Sequence, residues 1–162
     1  MSEIQYITWD ELLHVYEKTV DESGGGFSGI RDRERLESVL EFVQNDLYYP
    51  TFEDKLTFLV SRICTGHLFD DGNKRMSLTL GVYFLHKNGR FWAATTFMTH
   101  MAAIIMHVAA GHIDEGLLAR IIPPVIKGED FSEELKIDIA HAMESGELYS
   151  EYKSESALSK AR

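Results

Sequence analysis

Between two apolar stretches the chain carries His67-Leu68-Phe69-Asp70-Asp71-Gly72-Asn73-Lys74-Arg75. A histidine, two carboxylates, an amide and two cations therefore share one short interruption. Histidine ordinarily titrates near neutrality, which suits a general base. Asp70 and Asp71 are hard oxygen ligands, the kind magnesium takes one or two at a time beside substrate phosphates. Gly72 lets the backbone adopt positive φ or approach a ligand closely. Arg75 suits bidentate phosphate contact and Lys74 acts as a point charge. A base, a metal ligand and an anion site in one loop point to transfer of a phosphate-containing group from a nucleotide to a hydroxyl.

The elements on either side must hold this loop. Leu56, Leu59, Val60 and Ile63 share one face and predict a helix over about 55–66. Met76, Leu80, Tyr83 and Phe84 predict another over about 74–87, closed by Asn88-Gly89. Gly81 lies inside that helix, where its expected use is close packing. The second helix begins near Asn73, so its free N–H groups and positive dipole end face the loop. Two cations at that end oppose the dipole unless an anion lies between them.

The rest of the chain reads as helix. Thr8 and Glu11 form a capping-box pattern before a helix over 8–20. Ser23-Gly24-Gly25-Gly26 breaks the chain, and a helix over about 32–45 follows. Pro50 sits among Tyr48, Tyr49 and Phe52, which predicts an extended flap or short hairpin near residues 46–54. These aromatics read as packing more than as ligands. A short extended piece is expected at Arg90–Ala93, with helices over 96–110, over 114–122 (ending near Pro123-Pro124) and over 132–144. Residues 150–162 read as a polar, frayed tail. The expected class is all-α, a compact helical bundle. Its core domain spans 1–126; a C-terminal helix and tail, 127–162, pack on or flank it.

The formal charge is −10 over 162 residues. Such a chain repels phosphate backbones and anionic lipid, so neither nucleic acid nor membrane is an expected partner. The opening residues carry no basic start with an apolar run, and no stretch reaches the length of a membrane span. Cys64 is the single cysteine, so no disulfide framework exists and a cytoplasmic location is expected. Cys64 itself reads as a core residue.

The sequence His67–Arg75 resembles the Fic/Doc motif, His-x-Phe-x-Asp/Glu-Gly/Ala-Asn-x-Arg. Gly25-Gly26-Phe27-Ser28-Gly29-Ile30-Arg31-Asp32 and the apolar helix before His67 are similar to the Doc (death-on-curing) branch. The likeness covers about residues 4–125. It implies that His67 takes the proton of the target hydroxyl and that Phe69 anchors the loop. It implies that Asp71 holds Mg2+, and that Gly72, Asn73, Lys74 and Arg75 cradle the phosphates of ATP or another nucleoside triphosphate. It implies that a flap containing Tyr48, Tyr49, Thr51 and Phe52 lines up a Ser/Thr segment of the target protein. The AMP-transferring branch has Gly where Lys74 stands and a second Arg where Leu78 stands. Both departures match Doc-type proteins, which implies a toxin that transfers the terminal phosphate. The chain lacks the family's inhibitory Ser/Thr-x-x-x-Glu-Gly/Asn motif, so the resemblance implies an antitoxin acting in trans.

Other readings of the same residues stand beside this one. The loop could be a plain polar turn with Asp71 as N-cap and an Asp71–Arg75 pair at i, i+4. AMP transfer uses the same fold. His67, Asp70 and Asp71 at i, i+3, i+4 also fit a metal-dependent hydrolase. A binding module that keeps the cradle without catalysis is a further alternative. Arg31, Arg33 and Arg35 read as a solvated helix start with Glu34 and Glu37, or as a contact to nucleotide or target. His100, His107 and His112 have a spacing that a metal could use, although ordinary structural histidines fit as well.

Overall fold

Seven helices carry the chain in a computed structural model that describes residues 2–22, 24 and 29–160. Residues 25–28, part of the glycine-rich stretch, lie outside the described residues. The helices are α1 (Trp9–Glu22), α2 (Arg33–Phe42), α3 (Phe52–Thr65), α4 (Asn73–Lys87), α5 (Phe91–Ala109), α6 (Glu115–Lys127) and α7 (Glu133–Lys160). No named strand occurs among the described residues; Ile30 and Phe69 form one isolated antiparallel bridge. The all-α class expected from the sequence is what the structure has.

Helix α3 is the axis of the fold. Every residue from Lys55 to Ser61 is buried, so α3 is covered on all sides rather than along one stripe. Lys55, fully buried, has its ammonium satisfied by donating to Val43 O at 3.1 Å and Asp46 Oδ1 at 2.7 Å. Helix α4 packs on both α3 and α5. Gly81 permits that approach: a Cβ there would stand 2.8 Å from the Phe97 ring. Helix α1 is started by the expected capping box, Thr8 N to Glu11 Oε2 at 2.9 Å and Glu11 N to Thr8 Oγ1 at 3.2 Å. An ion pair between Glu11 and Lys87 ties α1 to α4.

Four sequence expectations need correction. The flap or hairpin near 46–54 is a turn followed by helix. Asn45 Oδ1 accepts from the backbone of Leu47 at 3.0 Å and Tyr48 at 3.4 Å, curling the chain. Thr51 and Asp54 then form a capping box that starts α3 at Phe52, just after Pro50. Phe52 is in the core, stacked on Phe84 at 4.8 Å. Arg90–Ala93 is no extended piece: Gly89 turns the chain at φ 73 and α5 begins at Phe91.

Helix α6 runs through Pro123 and Pro124 to Lys127. Ile121, Ile122, Val125 and Ile126 are all buried on both sides of the prolines. Each such side chain contributes about 1.5–3 kcal/mol. Together, at about 6–12 kcal/mol, that offsets a cost of about 3 kcal/mol for each of the two prolines. Helix α7 likewise continues past Gly146 to Lys160, through residues expected as a frayed tail. Gly146 is a contact, not a stop: a Cβ there would lie 2.1 Å from the His112 ring. Arg120 and Asp138, 2.7 Å apart, join α6 to α7.

Candidate active site

The segment between α3 and α4 starts with an unusual backbone step. Gly66 closes α3 in the right-handed region and His67 then takes φ 51. It is the one non-glycine residue with positive φ among the described residues. Helices commonly end on a left-handed glycine. A histidine in that place costs on the order of 1–3 kcal/mol, which the surroundings must supply. The imidazole is left exposed on the wall of a groove.

Three sets of contacts hold the loop in that shape. Phe69 is fully buried and stacks on Tyr16 at 5.2 Å. The segment before α2 pairs with the loop backbone. Arg31 N donates to Leu68 O at 2.9 Å, Asp32 N to the same oxygen at 3.2 Å, and Asp70 N to Gly29 O at 3.0 Å. Asn73 closes the loop on itself, its Oδ1 accepting from Phe69 N at 3.0 Å and its Nδ2 donating to Phe69 O at 2.9 Å. Asn73 thus reaches back to the loop rather than only toward the groove.

Two arginines add clasps that the sequence did not assign. Arg31 Nε meets Asp70 Oδ1 at 3.2 Å, and Arg35 Nη1 donates to Gly66 O at 3.3 Å. Both are surface contacts, each worth up to about 1 kcal/mol. The third member, Arg33, pairs with Glu37 at 3.0 Å and lies over the Trp9 ring. Arg31 lies before the N-cap Asp32 and Arg35 in the first turn of α2; their partners lie more than 30 residues away, so the cluster of arginines was the only signal in sequence. Asp70 is therefore an Arg31 partner, and Asp71 is the more available carboxylate. Burial raises the Tyr16 phenol pKa, and the nearby Asp70 charge adds to it.

The N-terminus of α4 is left open. Its cap is Gly72, in the left-handed region at φ 80, with no side-chain cap bond. Helices α2, α3 and α6 are capped by Asp32, Thr51 and Asp114. Asp71 is thus not the cap that the plain-turn reading requires; its Oδ1 accepts from Gly72 N at 2.7 Å. Lys74 enters no ion pair among the described residues. His67, Asp71, Gly72, Asn73, Lys74 and Arg75 all line one groove of about 560 Å³. Leu78, Ala102, Ile105 and Met106 form its apolar part. Such a volume suits a nucleotide-sized ligand. Among the described residues no three His, Cys, Asp or Glu side chains gather where they could hold a metal alone.

Cys64 borders the groove from beneath, 5% exposed, with Sγ 3.6 Å from Ile105 O. Burial pushes its thiol pKa up, against the lowering effects of Ser77 and Lys74, so it is a core group and a poor nucleophile. His107 and His112 lie with Nδ1 atoms 2.9 Å apart, and exposed His100 does not join them in a metal-binding group.

Comparison with known proteins agrees with this geometry. The model of the Fic/DOC family matches residues 6–85, which include the loop, its clasps and every groove residue up to Leu78. The chain is also 32% identical over 90 residues to the Protein kinase doc of Escherichia phage P1. That match covers 53% of this chain and 70% of the phage protein.

Proposed function

This chain belongs to the Fic/DOC family, and from that premise we propose that it moves the terminal phosphate of ATP, or another nucleoside triphosphate, to a Ser or Thr hydroxyl of a target protein. One observation carries the reading: a histidine held in strained backbone faces the same groove as an uncapped, doubly cationic helix N-terminus. His67 accepts the hydroxyl proton. The oxygen attacks the terminal phosphorus, the bond to the bridging oxygen breaks, and the nucleoside diphosphate leaves. The N–H groups at the start of α4, with Lys74 and Arg75, bind the phosphates. Asp71 would hold Mg2+, which neutralises phosphate charge when bound; its Oδ2 has no partner among the described residues. Asn73 and Phe69 keep the loop in register.

Leu78 favours phosphate over AMP transfer. It lines the groove one turn beyond Lys74, where it makes the wall apolar. Positive charge is then concentrated at the loop end, beside His67. The terminal phosphate carries the most negative charge of the nucleotide and is drawn there. AMP transfer needs the α-phosphate at the same spot. Purified chain, a susceptible extract, Mg2+ and ATP labelled at either the γ or the α phosphate separate the two. Label on protein from γ-labelled ATP alone supports this reading; label from α-labelled ATP alone replaces it with AMP transfer. The Doc-like toxin role, a cytoplasmic setting and an antitoxin that covers the groove in trans belong to the same proposal.

A further inference from the structure

A cleft of about 420 Å³ lies where the start of α5, the end of α6 and the start of α7 meet. It shares no residue with the groove that His67 lines, so phosphate transfer gives it no role. All of its lining residues fall beyond residues 6–85, the part that the family model matches. Trp92 and Phe131 are its aromatic members, Glu129 and Asp130 its carboxylates, and Pro124 and Val125 its apolar wall.

Trp92 is held in place and open at once. Gly128 closes α6 in the left-handed region at φ 68, and a Cβ there would stand 2.0 Å from the Trp92 ring. The indole therefore rests against bare backbone, yet the residue is 63% exposed. A ring seated this way offers its surface to a ligand at little further ordering cost. The charge beside it is negative. Glu129 and Asp130 are exposed, and their carboxylates enter no ion pair or hydrogen bond among the described residues. Lys136, the one lysine or arginine on the lining, is taken up by Glu133 at 3.0 Å. The positive end of α5 and the negative end of α6 both lie at the cleft and offset each other, so the two carboxylates set its sign. Thr96 and His100 add hydrogen-bonding side chains.

We propose that this cleft is a binding site for an organic cation on an alkyl stem, an alkylguanidinium or alkylammonium group. The cationic head lies on Trp92 beside Glu129 and Asp130, where the ring quadrupole and the carboxylates attract it together. The stem lies along Pro124, Val125 and Phe131. A bare metal ion fits less well, because a hard cation asks for six or more oxygen ligands and most of this wall is carbon. The side chain of an arginine or lysine in a partner protein and a free amine carry this same chemistry. The site stands apart from the transfer reading and does not depend on it.

Nuclear magnetic resonance of the full 15N-labelled chain tests this. The Trp92 indole N–H is told from that of Trp9, the other tryptophan, by its loss in Trp92→Phe. Two cationic probes, N-acetylarginine methylamide and agmatine, stand for a protein side chain and a free amine. At least one should shift the Trp92 resonance saturably. N-acetylcitrulline methylamide, of the arginine compound's shape without its charge, should bind at least about fivefold more weakly than the better cation. Glu129→Gln combined with Asp130→Asn should weaken cation binding about threefold or more, and Trp92→Leu, followed by backbone resonances of the cleft, should do the same. Circular-dichroism melts check both variants, and the carboxylate variant decides alone if Trp92→Leu melts lower. Tighter binding of agmatine assigns the site to a free amine; tighter binding of the blocked arginine assigns it to a protein segment. No saturable shift with either cation, equal binding of the citrulline compound, affinities unchanged by the carboxylate variant, or shifts confined to the His67 groove overturns the proposal.

Discussion

His67 occupies a left-handed backbone position that a glycine would fill at less cost. The arrangement makes sense if the imidazole is needed there. His67→Ala should lower the transfer rate by roughly 10²–10⁴-fold while leaving the melting temperature about the same, since alanine keeps the Cβ that makes positive φ costly. Rate measurements paired with thermal melts check both halves; an active His67→Ala protein removes the general base from the account. Asn73 makes a different prediction. Its side chain spends both polar atoms on Phe69, so Asn73→Ala should cost about 1–3 kcal/mol of stability as well as activity. A variant that loses activity at full stability would return Asn73 to a direct phosphate role. The contiguous residues of the loop were legible in sequence because their chemistry depends on types and short spacing. Tyr16, Arg31 and Arg35 were not, because their partners lie far along the chain and only the fold brings them together.

The helices that flank the loop follow from apolar spacing, and so were expected within a few residues. Where the sequence misled, a local rule lost to packing. Prolines 123 and 124 normally stop a helix, but buried isoleucines on both sides carry α6 through them. Gly146 normally breaks one, but here it makes room for His112. Gly81 read correctly as a packing glycine. Gly81→Val should destabilise by about 1–3 kcal/mol, since the clash with Phe97 outweighs the small gain in helix propensity. Chemical denaturation measures this, and an unchanged midpoint would contradict the close α4–α5 contact. The α1–α4 tie adds a pH dependence. Burial opposes ionisation of Glu11, but its bonds to Lys87 and Thr8 win and hold its pKa below the ordinary 4.5. A lowered folded pKa means stability present above the unfolded value and lost as pH falls through the folded one. Melts of wild type should therefore weaken more between pH 5 and 3 than melts of Glu11→Gln. Parallel curves would remove Glu11 as a contributor.

An acidic chain of formal charge −10 places Lys74 and Arg75 at the mouth of α4, on the groove that His67 also lines. The loop is pinned by Tyr16 of α1, by the backbone before α2 and by its own asparagine. We propose that this groove holds a nucleotide and that His67 takes part in transferring its terminal phosphate. Intact-mass spectrometry of soluble proteins from cells expressing wild type or His67→Ala tests it most directly. A target protein should gain about 80 Da with wild type and nothing with His67→Ala. A gain of about 329 Da, or the same gain with both proteins, would contradict it.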